Sequence, residues 1–337
     1  MKMKKISIKK IAELSGVSVA TVSRVINNNG RFSEETRQHV LNVIKENNYG
    51  MNYIAKGLRM NKSYTIGILV PDISNAFFSS VVKRIEEYLY LKSYSVIICN
   101  TDRDREKELS YLRILEGKMV DGLFIISGDQ EFDTKIIQTK VPVVCIDRRP
   151  KDVGKVAFIS SDHYQGGFLA TECLIQRGCK KIGILVSSEN LYSSRERLRG
   201  YKDALIKHHL IFNENDVVII ANKAAKTEES RKQILERLNN GDAFDGVFAI
   251  NDRLAIGAIK AAMEFGINVP RDMKIIGFDN DPVSSYCSPQ LTSVKQDIEH
   301  LAEKSCETLL QLMNNQETTQ SDIYKLLPVS IIYRGTT

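Results

Sequence analysis

The sequence predicts an α/β protein with two parts. An all-α N-terminal head with a helix-turn-helix pattern precedes a two-lobed domain of doubly wound parallel sheets. Three observations support this fold class: three helix signals in the first fifty residues, alternating strand-length and helix-period segments beyond them, and basic charge concentrated in the head. The 337 residues fit two or three domains at roughly 100–200 residues each.

The first helix signal begins at Ser7, the second at Ser18 and the third at Ser33, three residues suited to cap a helix N-terminus. Glu34 and Glu35 then fall in the first turn of the third helix, where the helix dipole favours acidic side chains. The predicted helices run to Leu14, to Ile26 and beyond Ile44, with Gly16 and Gly30 in the breaks. The predicted inward faces comprise Ile8, Ile11 and Leu14, then Val22, Val25 and Ile26, and then Val40, Ile44 and Leu41.

From Tyr64 onward, apolar runs of strand length alternate with helix-period segments. Continuous apolar runs are typical of parallel strands buried on both faces. The predicted strands are residues 65–70, 95–100, 122–126, 141–146, 157–161, 181–186, 217–220, 246–250 and 274–278. Nine strand–helix units exceed one compact open sheet, so we expect two lobes, with ligands at the carboxyl ends of strands in the cleft between them.

The basic charge lies almost entirely in the head. Residues 1–62 contain 12 Lys/Arg and 4 Asp/Glu, whereas the remaining 275 residues contain 35 and 37. A basic head on a near-neutral body favours a polyanionic partner for the head. A solubilising basic tail is the alternative, and composition alone does not separate the two.

The second helix carries the residue types with which a helix-turn-helix reads DNA. Short hydroxyls hold phosphates, small apolar side chains contact thymine methyls, and an arginine pairs with guanine. The hydroxyls are Ser18, Thr21 and Ser23, the apolar residues are Val19 and Ala20, and the arginine is Arg24. On spacing alone, a small capped amphipathic helix is an equally good interpretation.

Five segments, in order along the chain, resemble the LacI/GalR family of transcriptional regulators. They are IAELSGVSVATVSRVIN (11–27), NYIAKGLR (52–59), IGILVPDISN (66–75), NDRLAIGA (251–258) and IGFD (276–279). The resemblance implies a homodimeric repressor on double-stranded operator DNA, with a periplasmic-binding-protein-like effector domain. The implied boundaries are 1–60 for the head and hinge helix, 61–160 with 294–325 for the N-lobe, and 161–293 with 326–337 for the C-lobe.

The resemblance also implies a set of DNA contacts. They are Ser18, Val19, Ala20, Thr21, Ser23, Arg24, Asn27, Arg31, Ser33, Asn52, Ala55 and Leu58. Leu58 would insert into the minor groove from the hinge helix, where an apolar wedge unstacks and kinks the duplex; a contact with the body is the alternative. Met51 departs from the proline usual before the hinge, and Lys10 from an acidic residue near the first helix.

Polar and aromatic residues just after the strands suit a sugar, which needs hydroxyl-bridging groups and flat apolar faces. They are Asn75, Phe77, Phe78, Asp147, Arg148, Arg197, Asn251, Asp279 and Gln296. Singly, each fits a loop residue or a helix cap, and the two phenylalanines fit the core. Together they resemble the ligand set of ribose-binding proteins, which implies ring stacking by Phe77 and Phe78, hydroxyl hydrogen bonds from the others and a supporting Asn75. Residues 221–227 lack the aromatic that closes on the ring in that family, which leaves room for a larger ligand.

Other function classes find little support in the sequence. It contains no GxSxG, GxxxxGK[ST] or HExxH motif, and adjacent His208 and His209 cannot chelate a metal from one helix face. The six cysteines show no CxxC pair, and no export signal or membrane-length apolar run is present. We therefore expect a cytoplasmic protein that is not an enzyme and holds no metal or cofactor.

Within the family, the leading hypothesis is a sugar-responsive repressor of a carbohydrate-utilisation operon, with a ribose-like effector. A catabolite-control-type regulator that answers to a phosphorylated partner protein is the first alternative, and a purine-responsive repressor is the second. The polar residues after the strands argue for the sugar. We expect a dimer, because one head contacts one half-site, and the chain end shows no heptad pattern for a tetramer.

Overall fold

The computed structural model describes residues 6–27, 29–47, 49, 62–128, 131–152, 156–189, 191–221, 226–316 and 319–337. The chain divides into two compact units, Met1–Asn61 and Lys62–Thr337. We call the first unit the head and the second the body, and each is described by itself.

The described residues of the head form three helices, α1 (Ile8–Leu14), α2 (Val19–Asn27) and α3 (Glu34–Glu46). All three predicted serine caps are confirmed: Ser7 accepts a hydrogen bond from the Lys10 amide, Ser18 from the Thr21 amide at 3.1 Å, and Ser33 from the Thr36 amide at 3.1 Å. The helix boundaries therefore follow from side chains adjacent to them in sequence, which satisfy amide groups that the helix leaves free.

The head core contains Ile11, Val22, Val25, Val40 and Val43. Two predicted core residues are wrong, because 46% of Leu14 and 37% of Leu41 remain exposed. On α1 the inward face is centred between Ile11 and Ala12, and on α3 it includes Val43. At 100° per residue, Leu14 and Leu41 fall about 100° or more from the middle of the inward face of their helix, so both side chains reach solvent.

In the part of the body that the structure describes, two six-stranded sheets have helices packed against them. Its strands are β1 (Thr65–Val70), β2 (Ser95–Asn100), β3 (Gly122–Ile126), β4 (Val143–Ile146), β5 (Ala157–Ser161), β6 (Ile182–Ser187), β7 (Val217–Ile220), β8 (Gly246–Ala249), β9 (Lys274–Asp279), β10 (Thr292–Gln296), β11 (Tyr324–Leu327) and β12 (Val329–Ile332). Its helices are α4 (Ala76–Leu91), α5 (Arg105–Gly117), α6 (His163–Gln176), α7 (Tyr192–Lys207), α8 (Lys226–Asn239), α9 (Asp252–Phe265), α10 (Val283–Tyr286), α11 (Ile298–Met313) and α12 (Gln320–Ile323).

The first sheet has the strand order β11-β5-β4-β3-β1-β2 and the second the order β12-β10-β9-β8-β6-β7. Every pairing is parallel except that of β12 with β10. Each sheet reverses its order beside its first strand, β1 or β6, as doubly wound folds do. The apolar core packs on both faces of the sheets, which confirms the predicted fold class.

The lobe boundaries differ by a few residues from those expected. Strand β10 lies in the second sheet, so the chain leaves that lobe after Gln296 rather than before residue 294. Strand β11 lies in the first sheet, so the chain returns after Leu327 rather than after residue 325. The sequence did not predict β10, β11 or β12, because they are short and carry polar residues that interrupt an apolar run.

Among the described helices, none combines the length and apolar composition that a membrane crossing requires.

Candidate functional site

Helix α2 of the head separates a buried face from an exposed one. Val22 and Val25 are buried, whereas Ser18, Ala20 and Arg24 are exposed. The exposed side chains lie within two turns of the helix N-terminus, the part of a helix-turn-helix that contacts base edges. The arrangement suits DNA reading, since the polar groups face outward while the apolar face holds the helix in place.

The other predicted DNA contacts of the described head also lie at its surface or half-buried. Val19, Thr21 and Ser23 are half-buried, and Arg31 and Ser33 are exposed. The side chain of Asn27 and the whole of Asn52, Ala55 and Leu58 lie outside the described residues, as does Met51. The hinge prediction therefore stays a prediction.

Two cavities of the body lie at the carboxyl ends of its strands, where ligands bind in doubly wound folds. One lies between the lobes, and the other lies in the first lobe. The inter-lobe cavity is lined by Asp72, Asn75, Arg103, Lys226, Asn251, Arg253, Asp279 and Asp281. Arg103 lines both cavities, so the two are neighbours.

Three of the predicted effector ligands line the inter-lobe cavity: Asn75, Asn251 and Asp279. The two asparagines are also helix caps. Asn75 accepts hydrogen bonds from the Phe77 and Phe78 amides at the start of α4, and Asn251 accepts one from the Leu254 amide at the start of α9. Capping holds each side chain at the carboxyl end of a strand, so the same conformation orders the helix and places an amide group at the cavity.

Phe77 and Phe78 pack in the core of the first lobe. They are 5% and 7% exposed, and their rings meet edge to face with centroids 5.5 Å apart. Neither ring is among the residues that line the two cavities. The Arg103 guanidinium lies 6.0 Å from the Phe78 ring centroid. The described geometry thus gives both phenylalanines the core position that their residue type favours.

Asp279 and three further predicted ligands belong to a buried polar network. Gln296 Nε2 donates to Asp279 Oδ1 at 2.8 Å, and Arg197 lies 3.4 Å from the same oxygen. Arg197 also donates to the Ile250 carbonyl and stacks on the Phe278 ring at 3.5 Å. Asp147 accepts from Ser160 Oγ at 2.7 Å. The side chains at 147, 197, 279 and 296 are all under a tenth exposed.

Burial controls the protonation of this network. It raises the pKa of Asp279 to about 7, against the opposing effect of Arg197 and with a further rise from Asp281. Burial likewise lowers the pKa of Arg197, although Asp279 and Asp147 oppose it. For Asp147, burial is outweighed by His163, Ser160 and Arg197, which hold its pKa below the ordinary range. Asp147 is therefore ionised at neutral pH, whereas Asp279 changes its protonation state close to neutral pH.

Arg148 points into the first-lobe cavity rather than the inter-lobe one. It forms a bidentate ion pair with Glu108 of α5, with N–O distances of 2.6 and 3.3 Å. A Cβ at Gly128 would lie 2.8 Å from its guanidinium carbon, so a larger residue there would displace the Arg148 side chain. Pairing satisfies the charge of a side chain that is only 3% exposed.

The sequence did not identify a group of charged residues that joins the lobes beside the inter-lobe cavity. Arg103 of the first lobe lies 3.1 Å from Glu189 of the second, and Lys226 lies 3.3 Å from the same carboxylate. Arg253 donates to the Ser74 carbonyl at 3.0 Å. Their position in the sequence could have identified them, because Arg103 closely follows strand β2 and Glu189 closely follows strand β6.

The packing of α6 on α7 places Arg197 behind the cleft. A Cβ at Gly200 would lie 2.1 Å from the Tyr164 carbonyl oxygen, and a Cβ at Gly167 would lie 2.2 Å from the Arg197 carbonyl oxygen. The two helices therefore meet backbone to backbone, which only glycine permits. This contact lets the guanidinium reach Phe278 and Asp279.

Metal and thiol chemistry find no described site. The described residues contain no group of three or more His, Cys, Asp or Glu side chains that could hold a metal ion. The six cysteines are free, and Cys145 is fully buried, with its pKa raised to about 12 by burial. Cys145 is therefore a small apolar residue of the core.

The chain is similar to known regulators along its whole length. Residues 7–52 match the family model described as bacterial regulatory proteins, lacI family, and residues 171–337 match a periplasmic binding protein-like domain. The ribose operon repressor of Halalkalibacterium halodurans is 33% identical over 98% of this chain and 97% of its own. The catabolite control protein A of Priestia megaterium is also 33% identical, over 98% and 99%. The crystal structure of the lac repressor dimer bound to operator and an anti-inducer matches with a TM-score of 0.85 and 28% identity over 99% of both chains.

Proposed function

Because this chain belongs to the LacI family of bacterial transcriptional regulators, we propose that it is a dimeric repressor of a carbohydrate-utilisation operon controlled by a small, ribose-like sugar. The head reads operator DNA through α2, and the body binds the sugar between its lobes. The observation that carries the sugar is the network of Asp147, Arg197, Asp279 and Gln296 beside the inter-lobe cavity.

The network suits a ligand whose groups both donate and accept hydrogen bonds. Among the described residues, buried Arg197 Nε and Gln296 Oε1 have no hydrogen-bond partner. A buried donor or acceptor without a partner is costly. A sugar hydroxyl supplies both kinds of partner at once, so one ring carrying several hydroxyls satisfies both atoms.

The sugar acts on DNA binding through linkage. Arg103–Glu189 and Arg253–Ser74 already connect the lobes, so a ligand that changes these contacts changes the preferred lobe arrangement. Effector and operator affinities then change by the same factor, typically about 1–3 kcal/mol of coupling. On the DNA side, the two heads of the dimer bind two half-sites, so the operator shares the two-fold symmetry of the dimer.

A thermal-shift screen of the full-length protein tests the sugar. We expect ribose or a related pentose to raise the melting temperature, because a ligand that binds only the folded state stabilises it. Arg197→Ala should abolish the upshift and leave operator binding intact in an electrophoretic assay. Arg199→Ala is the matched control, because Arg199 lies on the same helix with 57% of its side chain exposed. An upshift that persists in Arg197→Ala removes this residue from the site.

The similarity to a catabolite control protein supports a second candidate, a repressor that responds to a phosphorylated partner protein. A partner of this kind docks on the surface and leaves the cleft network unused. Operator affinity that is unchanged by every pentose, hexose, sugar phosphate and purine in the screen favours this candidate. An upshift with purines alone identifies a purine-responsive repressor instead.

A further inference from the structure

The imidazole of His163 lies where the chain passes from the first lobe to the second. His163 is the first residue of α6 and follows β5 by two positions. Its side chain is 1% exposed, although histidine is seldom fully buried without polar partners. His163 is not one of the ligands that the resemblance to ribose-binding proteins implies. Direct contact with a sugar therefore does not explain why it is buried.

Both ring nitrogens of His163 face charged side chains. Nδ1 lies 3.2 Å from Arg197 NH2, and Nε2 lies 2.9 Å from Asp147 Oδ1. An arginine only donates hydrogen bonds, so Nδ1 must be the acceptor and carry no proton. The proton of a neutral ring then sits on Nε2, where it makes a close electrostatic contact with the Asp147 carboxylate rather than a well-aligned hydrogen bond. Burial lowers the pKa of His163 and so favours this neutral form, although Asp147 opposes the shift.

Among the described residues, the hydrogen bonds of Asp147 and those of Arg197 form two separate groups, and His163 lies between them. Asp147 is hydrogen-bonded within the first lobe, to Ser160 Oγ and the Ser161 amide. Arg197 is hydrogen-bonded within the second lobe, to the Ile250 carbonyl and Asp279. His163 contacts both, so its ring orientation relates the acid of one lobe to the guanidinium of the other.

We propose that His163 is a positioning residue that holds Asp147 and Arg197 in register and thereby sets the affinity of the cleft for its sugar. This inference rests on the proposed function of the cleft. His163 acts through its two neighbours and need not touch the ligand. Because both neighbours bind hydroxyls in that proposal, loss of the bridge weakens the discrimination between ribose and its deoxy analogues as well as the affinity.

A packing role for the ring is the competing explanation. The His163 centroid lies 5.9 Å from that of Phe278 and 6.3 Å from that of Tyr192. Two substitutions separate the explanations. His163→Phe keeps an aromatic ring and removes both nitrogens, whereas His163→Gln removes the ring and keeps a donor and an acceptor.

The test is calorimetric titration of the full-length wild type, His163→Phe, His163→Gln and the control Arg199→Ala with D-ribose and 2-deoxyribose. We expect His163→Phe to weaken ribose binding about tenfold or more and to narrow the ribose/2-deoxyribose ratio, because a charged hydrogen-bond network loses its link. His163→Gln should stay within about threefold of wild type. Ribose binding by His163→Phe that equals wild type, or a loss in His163→Gln as large as in His163→Phe, overturns the proposal.

The protonation of the ring in the ligand-free protein provides a second readout. In ¹⁵N-histidine-labelled protein, the resonance that disappears in His163→Gln should show an unprotonated Nδ1 and a protonated Nε2 at neutral pH. A protonated Nδ1 contradicts the bridge. Failure of the wild type to bind any sugar, with the expected tautomer present, contradicts the proposed function of the cleft instead.

Discussion

The head and the cleft present their polar side chains in opposite ways. On α2, Ser18, Ala20 and Arg24 lie exposed within seven consecutive residues. In the cleft, Asp147 and Gln296 stand far apart in the sequence, yet each is under a tenth exposed. The exposed surface of α2 can therefore change without disturbing the core beneath it, whereas a change among the buried cleft residues disturbs the packing around them.

The largest effect is expected behind the cleft, where helix packing and ligand geometry depend on one contact. Gly200→Ala places a methyl group against the Tyr164 carbonyl oxygen and the Phe168 amide, both backbone atoms that cannot rotate away. We expect a loss of about 3 kcal/mol in the free energy of unfolding, together with weaker sugar binding through displaced Arg197. Chemical denaturation and calorimetry measure the two effects.

Gly117→Ala is the matched control for this prediction. Gly117 is the last residue of α5, and a Cβ there meets nothing within 4 Å. Alanine should be neutral or slightly stabilising, because it forms helix better than glycine. Equal stability of Gly200→Ala and Gly117→Ala would show that the cleft tolerates changes in its supporting helices as readily as the head tolerates surface changes.

The second effect tests whether the buried Asp279 carboxyl lowers the free energy of unfolding at neutral pH. The folded pKa of Asp279 is about 7, above the ordinary value of about 3.9. A raised folded pKa means that the stability gained at low pH is lost as pH rises from about 4 to about 7. Asp279→Asn cannot ionise, so its stability relative to wild type should increase over this window by an amount on the order of 2 kcal/mol.

Urea unfolding at pH 4.5 and 8 measures this difference, and the sugar response of Asp279→Asn should be lost. Asp272→Asn serves as the control. Asp272 is at the surface, and hydrogen bonds from Arg271 and Asn268 lower its pKa, so the opposite sign applies. A pH-independent difference between Asp279→Asn and wild type contradicts the buried, near-neutral titration of this carboxyl.

The third effect lies in the head and concerns specificity rather than stability. Arg24→Ala should lower the ratio of operator to random-DNA affinity roughly tenfold, because one arginine–guanine pair provides that much discrimination. Its melting temperature should stay unchanged, since Arg24 is exposed. Fluorescence anisotropy with an operator selected from random duplexes measures both affinities.

Arg37→Ala on α3 is the matched head control, because Arg37 forms an ion pair with Glu34. It should affect operator and random DNA alike. Equal losses on both DNAs in Arg24→Ala would assign Arg24 to phosphate contacts instead of base reading.

The smallest effect concerns a cap. Ser33→Ala removes the hydrogen bond to the Thr36 amide at 3.1 Å and should cost about 1 kcal/mol of local stability. Hydrogen exchange of the α3 amides in the DNA-free protein measures it, and Ser33→Asp, which keeps a capping oxygen, should exchange like wild type. Unchanged exchange in Ser33→Ala would show that tertiary packing alone holds α3.

Sequence reasoning succeeded where the determining contacts are local. The caps at Ser7, Ser18 and Ser33 bond amides three residues away. The nine predicted strands are present because an apolar run of strand length is itself the feature that a doubly wound sheet buries. The exposure of Leu14 and Leu41 was missed, because the periodicity of a short helix leaves the centre of its inward face uncertain by about one residue.

The effector residues implied by the family resemblance do not all meet in one place in the structure. Asn75, Asn251 and Asp279 meet at the inter-lobe cavity, while Arg148 turns to Glu108. The sequence pattern did not distinguish His163 or Glu189, because a histidine at a helix start and a glutamate after a strand are common. Their partners Arg197 and Arg103 are distant in sequence.

The sequence by itself determined the order of helices and strands, the basic head and the family, because periodicity, caps and charge are carried by neighbouring residues. Only the tertiary structure decided which polar side chains meet and which nitrogens of His163 face Asp147 and Arg197. It also decided the raised pKa of Asp279. Burial and through-space contacts between the two lobes produce these properties, and they exist only after β10 has joined the second sheet and α6 has packed on α7.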